Sequence, residues 1–397
     1  MDELLFVFLG SALGIITGFV PGIHVNTAAL LAVSVAEKGN VNILILIVSM
    51  SIVHSFVDFI PSILLGAPEA DNFLSVLPGH RLFLKGKAHY AIKLTIVGGL
   101  IGGIISLIAA PFYVLFILKF VEIIYLLIPF LLVLVLVLMI LSERHLKNKL
   151  LAIIIIALSG ILGVIVLRNF VVVENPLFPL ITGFFGASTL IYSALMEKQK
   201  IIRQKVEFSR FNKEDSIKGS ILGALGGGIV SLFPSVGPSQ AAFIIRKIAG
   251  KIKTTKYLIV LGGINTSNML FSFFVLYAIG KARTGSAAAI RQLMQLNESH
   301  LLLIGLTSLI AIGIGALATD LISRKALNGI NKINYRSLNV LTLIFLFILT
   351  VLFSGFIGLL VMVASLGVGL IVITGKIKRT HSMAFLMIPT LLFYLGL

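Results

Sequence analysis

The chain has 397 residues, of which 58% are hydrophobic and 12% charged, and its mean hydropathy is +1.11. This composition excludes a water-soluble globular protein. The formal net charge of +17 would suggest nucleic-acid binding in a soluble protein, but here the basic residues stand in short loops beside apolar segments. The sequence therefore predicts membrane lipids, and no nucleic acid, as partners.

Apolar segments of roughly 20 residues, the length that crosses a bilayer, follow one another along the chain. The predicted spans are 42–66, 93–118, 122–141, 150–168 and 177–196, then 257–280, 301–321, 338–354, 356–374 and 383–397. The sequence thus predicts an all-α integral membrane protein with about ten transmembrane helices.

Two further apolar segments, 4–36 and 219–245, are each broken near the middle by proline and glycine, at 20–22 and at 233–238. Because each arm is expected to be too short for a crossing, both segments are predicted to be re-entrant hairpins. The predicted organisation is a first repeat at 1–196, a cytoplasmic basic linker at 197–218 and a second repeat at 219–397.

The positions of the basic residues predict an orientation in the plasma membrane. If 197–218 is cytoplasmic, the other inside loops are 67–92, 142–149, 246–256, 322–337 and 375–382, and both termini are outside. With Lys93 at its span entrance, all but six of the 32 Lys and Arg residues are then inside. The six exceptions are Lys38, Lys119, Arg168, Lys281, Arg283 and Arg291.

This count places the ends of the two hairpins on opposite sides of the membrane, so the two halves are predicted to be inverted repeats. The sequence agrees at an offset of 213 residues. Leu9, Gly10, Gly14, Pro21, Ala28 and Ala29 recur as Leu222, Gly223, Gly227, Pro234, Ala241 and Ala242. Broken segments at corresponding positions of inverted halves are typical of the binding sites of secondary transporters. The alternative is that these glycines and prolines only allow close packing and kinks.

A broken helix exposes backbone N–H groups at the start of its second arm, and this partly positive end attracts an anion. The substrate-binding candidates at the two tips are Gly22, His24, Asn26, Thr27, Ser235, Gly237, Ser239 and Gln240. For the Asn, Thr, Ser239 and Gln side chains, capping of the same helix is the alternative.

The spans that follow the hairpins also carry polar residues. Asn265, Thr266, Ser267 and Asn268 are consecutive, which predicts local unwinding around a ligand or cation. Hydrogen bonding between intact helices is the alternative. In the first half, Asp58 is the candidate for coupling to H⁺ or Na⁺, with His54 one turn away to share a proton, although Asp58 could instead satisfy nearby backbone groups.

The paired broken segments, the run Pro-Ser-Ile-Leu-Leu-Gly-Ala-Pro at 61–68 and the run Leu-Pro-Gly-His-Arg-Leu-Phe-Leu-Lys-Gly-Lys-Ala at 77–88 resemble the TctA family. This family comprises the large permease subunits of tripartite tricarboxylate transporters. The resemblance implies a secondary carrier for carboxylates that works with a small membrane subunit and an extracytoplasmic solute-binding protein.

The predicted function is secondary active transport of a small organic anion, a carboxylate, driven by H⁺ or Na⁺ through alternating access of the inverted repeats. The alternative is translocation of an anionic lipid or polyprenyl phosphate, which suits the same tips. The chain is not expected to be an enzyme, because its His residues lack ligand spacing. No cofactor is predicted beyond the coupling ion, and the sequence identifies no particular metal. A homodimer is compatible with the sequence.

Overall fold

The computed structural model describes residues 2–20, 25–65, 79, 81–195, 203–206, 211–233, 237–238, 241–242, 245, 252–330 and 335–397. Every regular element in these ranges is helical. The elements are α1 (Asp2–Phe19), α2 (Val25–Ser34), α3 (Val41–Val57), α4 (Phe59–Leu65), α5 (Ala88–Leu141), α6 (Leu146–Leu167), α7 (Leu177–Ile181), a π-helix (Thr182–Ala187), α8 (Ser188–Leu195), α9 (Lys213–Leu232), α10 (Thr254–Ile279), α11 (Gly285–Leu293), α12 (Glu298–Ile330), α13 (Tyr335–Thr374), a 3₁₀-helix (Arg379–Met383) and α14 (Ala384–Tyr394).

Local sequence explains where several of these helices begin and end. The side chain of Asn40 accepts hydrogen bonds from the backbone N–H groups of Asn42 and Ile43 and so caps α3. Asn212 caps α9 in the same way. At the other end of α10, Gly280 takes the left-handed conformation that terminates helices, which only glycine adopts without steric cost.

Seven helices of the described residues are long and apolar enough to cross a membrane, which confirms an all-α membrane protein. The predicted break at 119–121 is not present, because α5 runs without interruption for 54 residues. A straight helix of that length would reach about 81 Å, well beyond a bilayer of about 40–45 Å. Pro111 and Pro129 lie inside it, and nothing at 119–121 stops a helix.

The predicted break after residue 354 is found. Gly355 interrupts α13 with φ 66° and ψ −171°, a conformation that is essentially restricted to glycine. The last predicted span is represented by α14, whose 11 residues reach about 16 Å, roughly half of the hydrocarbon layer. The position of the carboxyl terminus outside therefore remains a prediction.

The two halves have matching helices around their hairpins. α1 ends at Phe19 and α9 at Leu232, while α3 begins at Val41 and α10 at Thr254, so both pairs are separated by 213 residues. α1 packs on α3 and α9 packs on α10. The 18 residues of α1 are enough for a full crossing, so arm length does not require a re-entrant path. The re-entrant hairpins and the inversion remain predictions.

α10 is the central helix of the described structure. It packs against α5, α9, α3 and α12, and its apolar window is buried throughout. α3 and α4 together are also mostly buried, whereas α5, α6, α12 and α13 expose large apolar side chains at their surfaces. The two helices that follow the hairpins, α3 and α10, are thereby shielded from lipid.

Candidate functional site

A stripe of polar side chains runs along one face of α3 and continues through Asp58 into α4. Ser51, Ser55, Asp58 and Ser62 follow at intervals of four, three and four residues, which places them on one side of a helix. Each of the four is exposed by 2% or less. A serine stripe inside an apolar core needs hydrogen-bond partners, since an unsatisfied buried polar group is costly.

Asp58 lies where the stripe meets a break in the helix. It is the residue between α3 and α4, and Pro61 supplies no N–H for the carbonyl of Val57. The backbone N–H of Asp58 still bonds to the carbonyl of His54 at 3.0 Å. The carboxyl group thus stands at the junction of α3 and α4, where the residue is buried.

Asn265 of α10 faces Asp58 directly. Its Nδ2 donates to Oδ2 of Asp58 and to the carbonyl of Ser55, each at 3.0 Å. Next to it, Oγ1 of Thr266 lies 3.3 Å from Oγ of Ser55. The structure therefore brings together the predicted coupling residue and two of the predicted substrate-binding residues, across the two helices that follow the hairpins.

The predicted unwinding at 265–268 is wrong, because α10 continues as a regular helix through all four residues. An unbroken helix can carry four consecutive polar side chains here because other helices surround it on every side. Ser267 faces α5, where Ser106 donates to it at 2.7 Å and it donates to the carbonyl of Gly102 at 3.3 Å. Asn268 is buried and lies beside Gly227 of α9.

His54 lies one turn before Asp58 and is 3% exposed. Its Nδ1 is 3.1 Å from Oγ1 of Thr17 on α1. The imidazole ring of His54 therefore contacts α1. Sharing of a proton between His54 and Asp58 remains a prediction.

Asn26 joins the second arm of the first hairpin to α11. Its Oδ1 accepts from the backbone N–H of Ser286 at 3.0 Å and lies 3.4 Å from the Ser286 hydroxyl. Ser51 of the polar stripe donates to that same hydroxyl at 2.8 Å. Asn26 thus accepts a hydrogen bond from an N-terminal N–H group of α11. This contact differs from both predicted roles of Asn26, which were binding of a ligand and capping of its own helix.

Several predicted tip residues lie outside the described residues, namely Gly22, His24, Ser235, Ser239 and Gln240. Thr27 is in α2, and its side chain is likewise outside the description. Gly237 is described, and its carbonyl accepts from the N–H of Ala241 at 3.2 Å. Their roles in substrate binding remain predictions.

Sequence reasoning missed Ser51 and Ser286 and gave Ser55 no role. The spacing of Ser51, Ser55 and Asp58 was a readable signal, whereas nothing in the sequence pointed to Ser286. Among the described residues, no group of three His, Asp or Glu side chains is placed to hold a metal ion.

Known proteins resemble this chain over nearly its whole length. The sequence pattern described as "Tripartite tricarboxylate transporter TctA family" matches residues 4–384. An uncharacterized protein of Methanocaldococcus jannaschii is 28% identical over 403 aligned residues, and the alignment covers 100% of both chains. No solved structure matches the chain. The family match covers nearly the whole sequence, and the chain belongs to the tripartite tricarboxylate transporter TctA family.

Proposed function

We propose that this multi-pass membrane protein is the permease of a secondary active transporter for a small organic anion, a carboxylate. Transport is coupled to H⁺ or Na⁺ and proceeds by alternating access of two inverted repeats. Family membership supports the transport of carboxylates and a partnership with a small membrane subunit and a solute-binding protein.

The contact between Asp58 and Asn265 carries this proposal. It joins the helices that follow the two hairpins, so a movement of one repeat against the other must strain or break it. An ionisable residue inside a membrane domain is costly and usually functional. Protonation of Asp58 would weaken the hydrogen bond that its carboxylate accepts from Asn265. Binding of a proton would thereby be linked to the movement of one repeat against the other.

The same contact suits Na⁺ as the alternative coupling ion. The Ser55 carbonyl and the Asp58 carboxylate converge on one amide group of Asn265, and the Thr266 hydroxyl lies beside Ser55. Hard cations take oxygen ligands of these three kinds. A displaced Asn265 side chain would leave the oxygens of Ser55 and Asp58 facing the same space.

The test is uptake of labelled citrate and smaller carboxylates into proteoliposomes under imposed H⁺ or Na⁺ gradients. We expect Asp58→Asn to abolish accumulation against a gradient but to retain citrate exchange, because the isosteric amide keeps the packing and removes the titratable charge. The matched control is Asp215→Asn, which removes a partly exposed carboxylate paired with Lys256 and should accumulate citrate as the wild type does.

Full accumulation by Asp58→Asn would reduce this residue to a structural role. A thermal-shift panel of carboxylates and lipid phosphates separates the two substrate classes, since a ligand that binds only the folded state raises its stability. Stabilisation by lipid phosphates alone would favour the lipid translocase over the carboxylate carrier.

A further inference from the structure

Arg283 stands in the link between α10 and α11 with part of its charge buried. Its Nε and Nη2 atoms are shielded from solvent, and neither has a hydrogen-bond partner in the described part of the chain. By contrast, Nη1 of Arg379 donates to the hydroxyl of Thr189 at 2.5 Å. Buried N–H groups are normally satisfied, so two free donors on one guanidinium need a physical explanation.

The neighbours of Arg283 hold the link in place. Thr284 caps α11 and contacts the hydroxyl of Ser272 on α10 at 3.1 Å. Two residues further, Ser286 binds Asn26, which follows the first hairpin tip. Gly285 leaves no room for a side chain there, since an added Cβ would lie 2.4 Å from Cβ of Asn26. The guanidinium is therefore carried on a fixed segment rather than on a loose loop.

Arg283 also interacts electrostatically with Tyr113 of α5, which contacts the last turn of α9. The Tyr113 hydroxyl donates to the carbonyl of Gly228 and lies 2.6 Å from the hydroxyl of Ser231, three residues before Pro234 in the second tip. A cation with two unpaired donors is thus carried two residues from Gly285, which packs against Asn26, and within electrostatic range of Tyr113.

The predicted orientation does not explain why a positive charge is placed at position 283. Arg283 is one of the six basic residues assigned to the outside, where a positive charge does not help to set topology. A guanidinium presents a planar fork of donors that matches a carboxylate, and a hydrogen bond from it to an ionised acceptor is among the strong ones.

We propose that Arg283 binds a carboxylate group of the transported anion beside the contact between α2 and α11. This inference rests on the proposed function and deepens it by naming the fixed positive charge that recognises the substrate. The site is separate from the Asp58–Asn265 contact, so charge recognition and ion coupling are assigned to different residues.

The experiment measures citrate binding by thermal shift and the KM of citrate uptake in proteoliposomes for the wild type, Arg283→Gln and Arg283→Lys. Removing a charged hydrogen-bond donor should weaken citrate binding by about tenfold to a hundredfold in Arg283→Gln. Arg283→Lys keeps the charge but loses the fork, so its loss should be smaller. The matched control is Arg291→Gln, which removes an exposed arginine from α11 and should change the KM by less than about twofold.

The outcomes separate the two proposals. If the wild type accumulates citrate and the KM of Arg283→Gln is unchanged, the Arg283 site is overturned and the proposed carboxylate transport stands. A wild type that neither binds nor accumulates citrate, succinate or acetate overturns both. Inorganic phosphate that binds in an Arg283-dependent manner while no carboxylate does would overturn the carboxylate assignment. If Arg283→Gln does not elute as a folded protein, Arg283→Lys decides, and an unchanged KM in that variant overturns the site.

Discussion

Glu143 and His381 form a buried hydrogen-bonded pair between the end of α5 and the 3₁₀-helix. Oε1 of Glu143 lies 3.0 Å from Nε2 of His381 and accepts from the backbone N–H of Lys378 at 3.0 Å. Burial alone would raise the pKa of Glu143, but these hydrogen bonds outweigh it and hold the pKa below its usual value. Burial lowers the pKa of His381, against the opposing effect of Glu143.

These shifts predict that acid destabilises this end of the molecule. Both groups release protons more readily in the folded chain, so the unfolded chain binds more protons below about pH 6.5 for His381 and about pH 4.5 for Glu143. Their contribution to stability is present at neutral pH and is lost as the pH falls. The midpoint of thermal unfolding in detergent should therefore decrease between pH 7 and pH 5.

His381→Gln keeps a donor for Glu143 but removes the titratable ring, so its melting temperature should change less over that interval than that of the wild type. The control is His145→Gln, which alters an exposed histidine beside the same cluster and should follow the wild type. Equal slopes for all three proteins would contradict the assignment of the pH dependence to His381.

Glycines decide how closely the central helices approach one another. A Cβ added to Gly98 of α5 would lie 1.9 Å from the carbonyl oxygen of Ile259, and one added to Gly262 of α10 would lie 2.1 Å from that of Thr95. Both obstacles are backbone atoms, which cannot move aside as a flexible side chain can. Glycines at these positions thus allow the backbones of α5 and α10 to meet.

We expect Gly98→Ala and Gly262→Ala each to destabilise the protein, because overpacking of a close helix contact costs about 1–3 kcal/mol. The control is Gly305→Ala in α12, where an added Cβ meets nothing within 4 Å. That change should be neutral or stabilise by about 0.5–1 kcal/mol through helix propensity. Thermal unfolding of the purified variants measures the difference, and equal stability of Gly98→Ala and Gly305→Ala would refute the close contact.

Loops that were assigned to the same side of the membrane contact each other in the folded molecule. On the predicted inside, Gln204 binds the backbone of Phe83 and Ala88, and Glu143 binds Lys378. On the predicted outside, the N–H of Gly39 donates to the carbonyl of Leu293. These contacts agree with the alternation of loops, while the absolute orientation remains a prediction.

The orientation can be measured with single cysteines, because the natural chain has none. Cysteines at Lys147 and Arg203 should react only with reagents that reach the cytoplasm, and cysteines at Lys38 and Arg291 only with reagents applied outside. All four positions are exposed, so accessibility in the folded protein does not limit labelling. External labelling at Lys147 and Arg203 would reverse the orientation.

The sequence by itself determined the class of the protein and many helix boundaries. The length and apolarity of the segments predict membrane helices because every backbone polar group in lipid must be satisfied within the helix. The interruption at Gly355 and the 213-residue repeat of the hairpin arms were also readable, since they depend on glycine, proline and short-range pattern.

Only the tertiary structure decided how the polar residues are used. Asn265 and Asp58 are 207 residues apart in sequence, and no local pattern pairs them. Four adjacent polar residues stay helical because α10 is enclosed by other helices. The setting of Arg283 arises only where the segment after α10 packs against Asn26. Hydrogen-bond partners and burial depend on which helices become neighbours, and helix packing, rather than the spacing of residues along the chain, determines this.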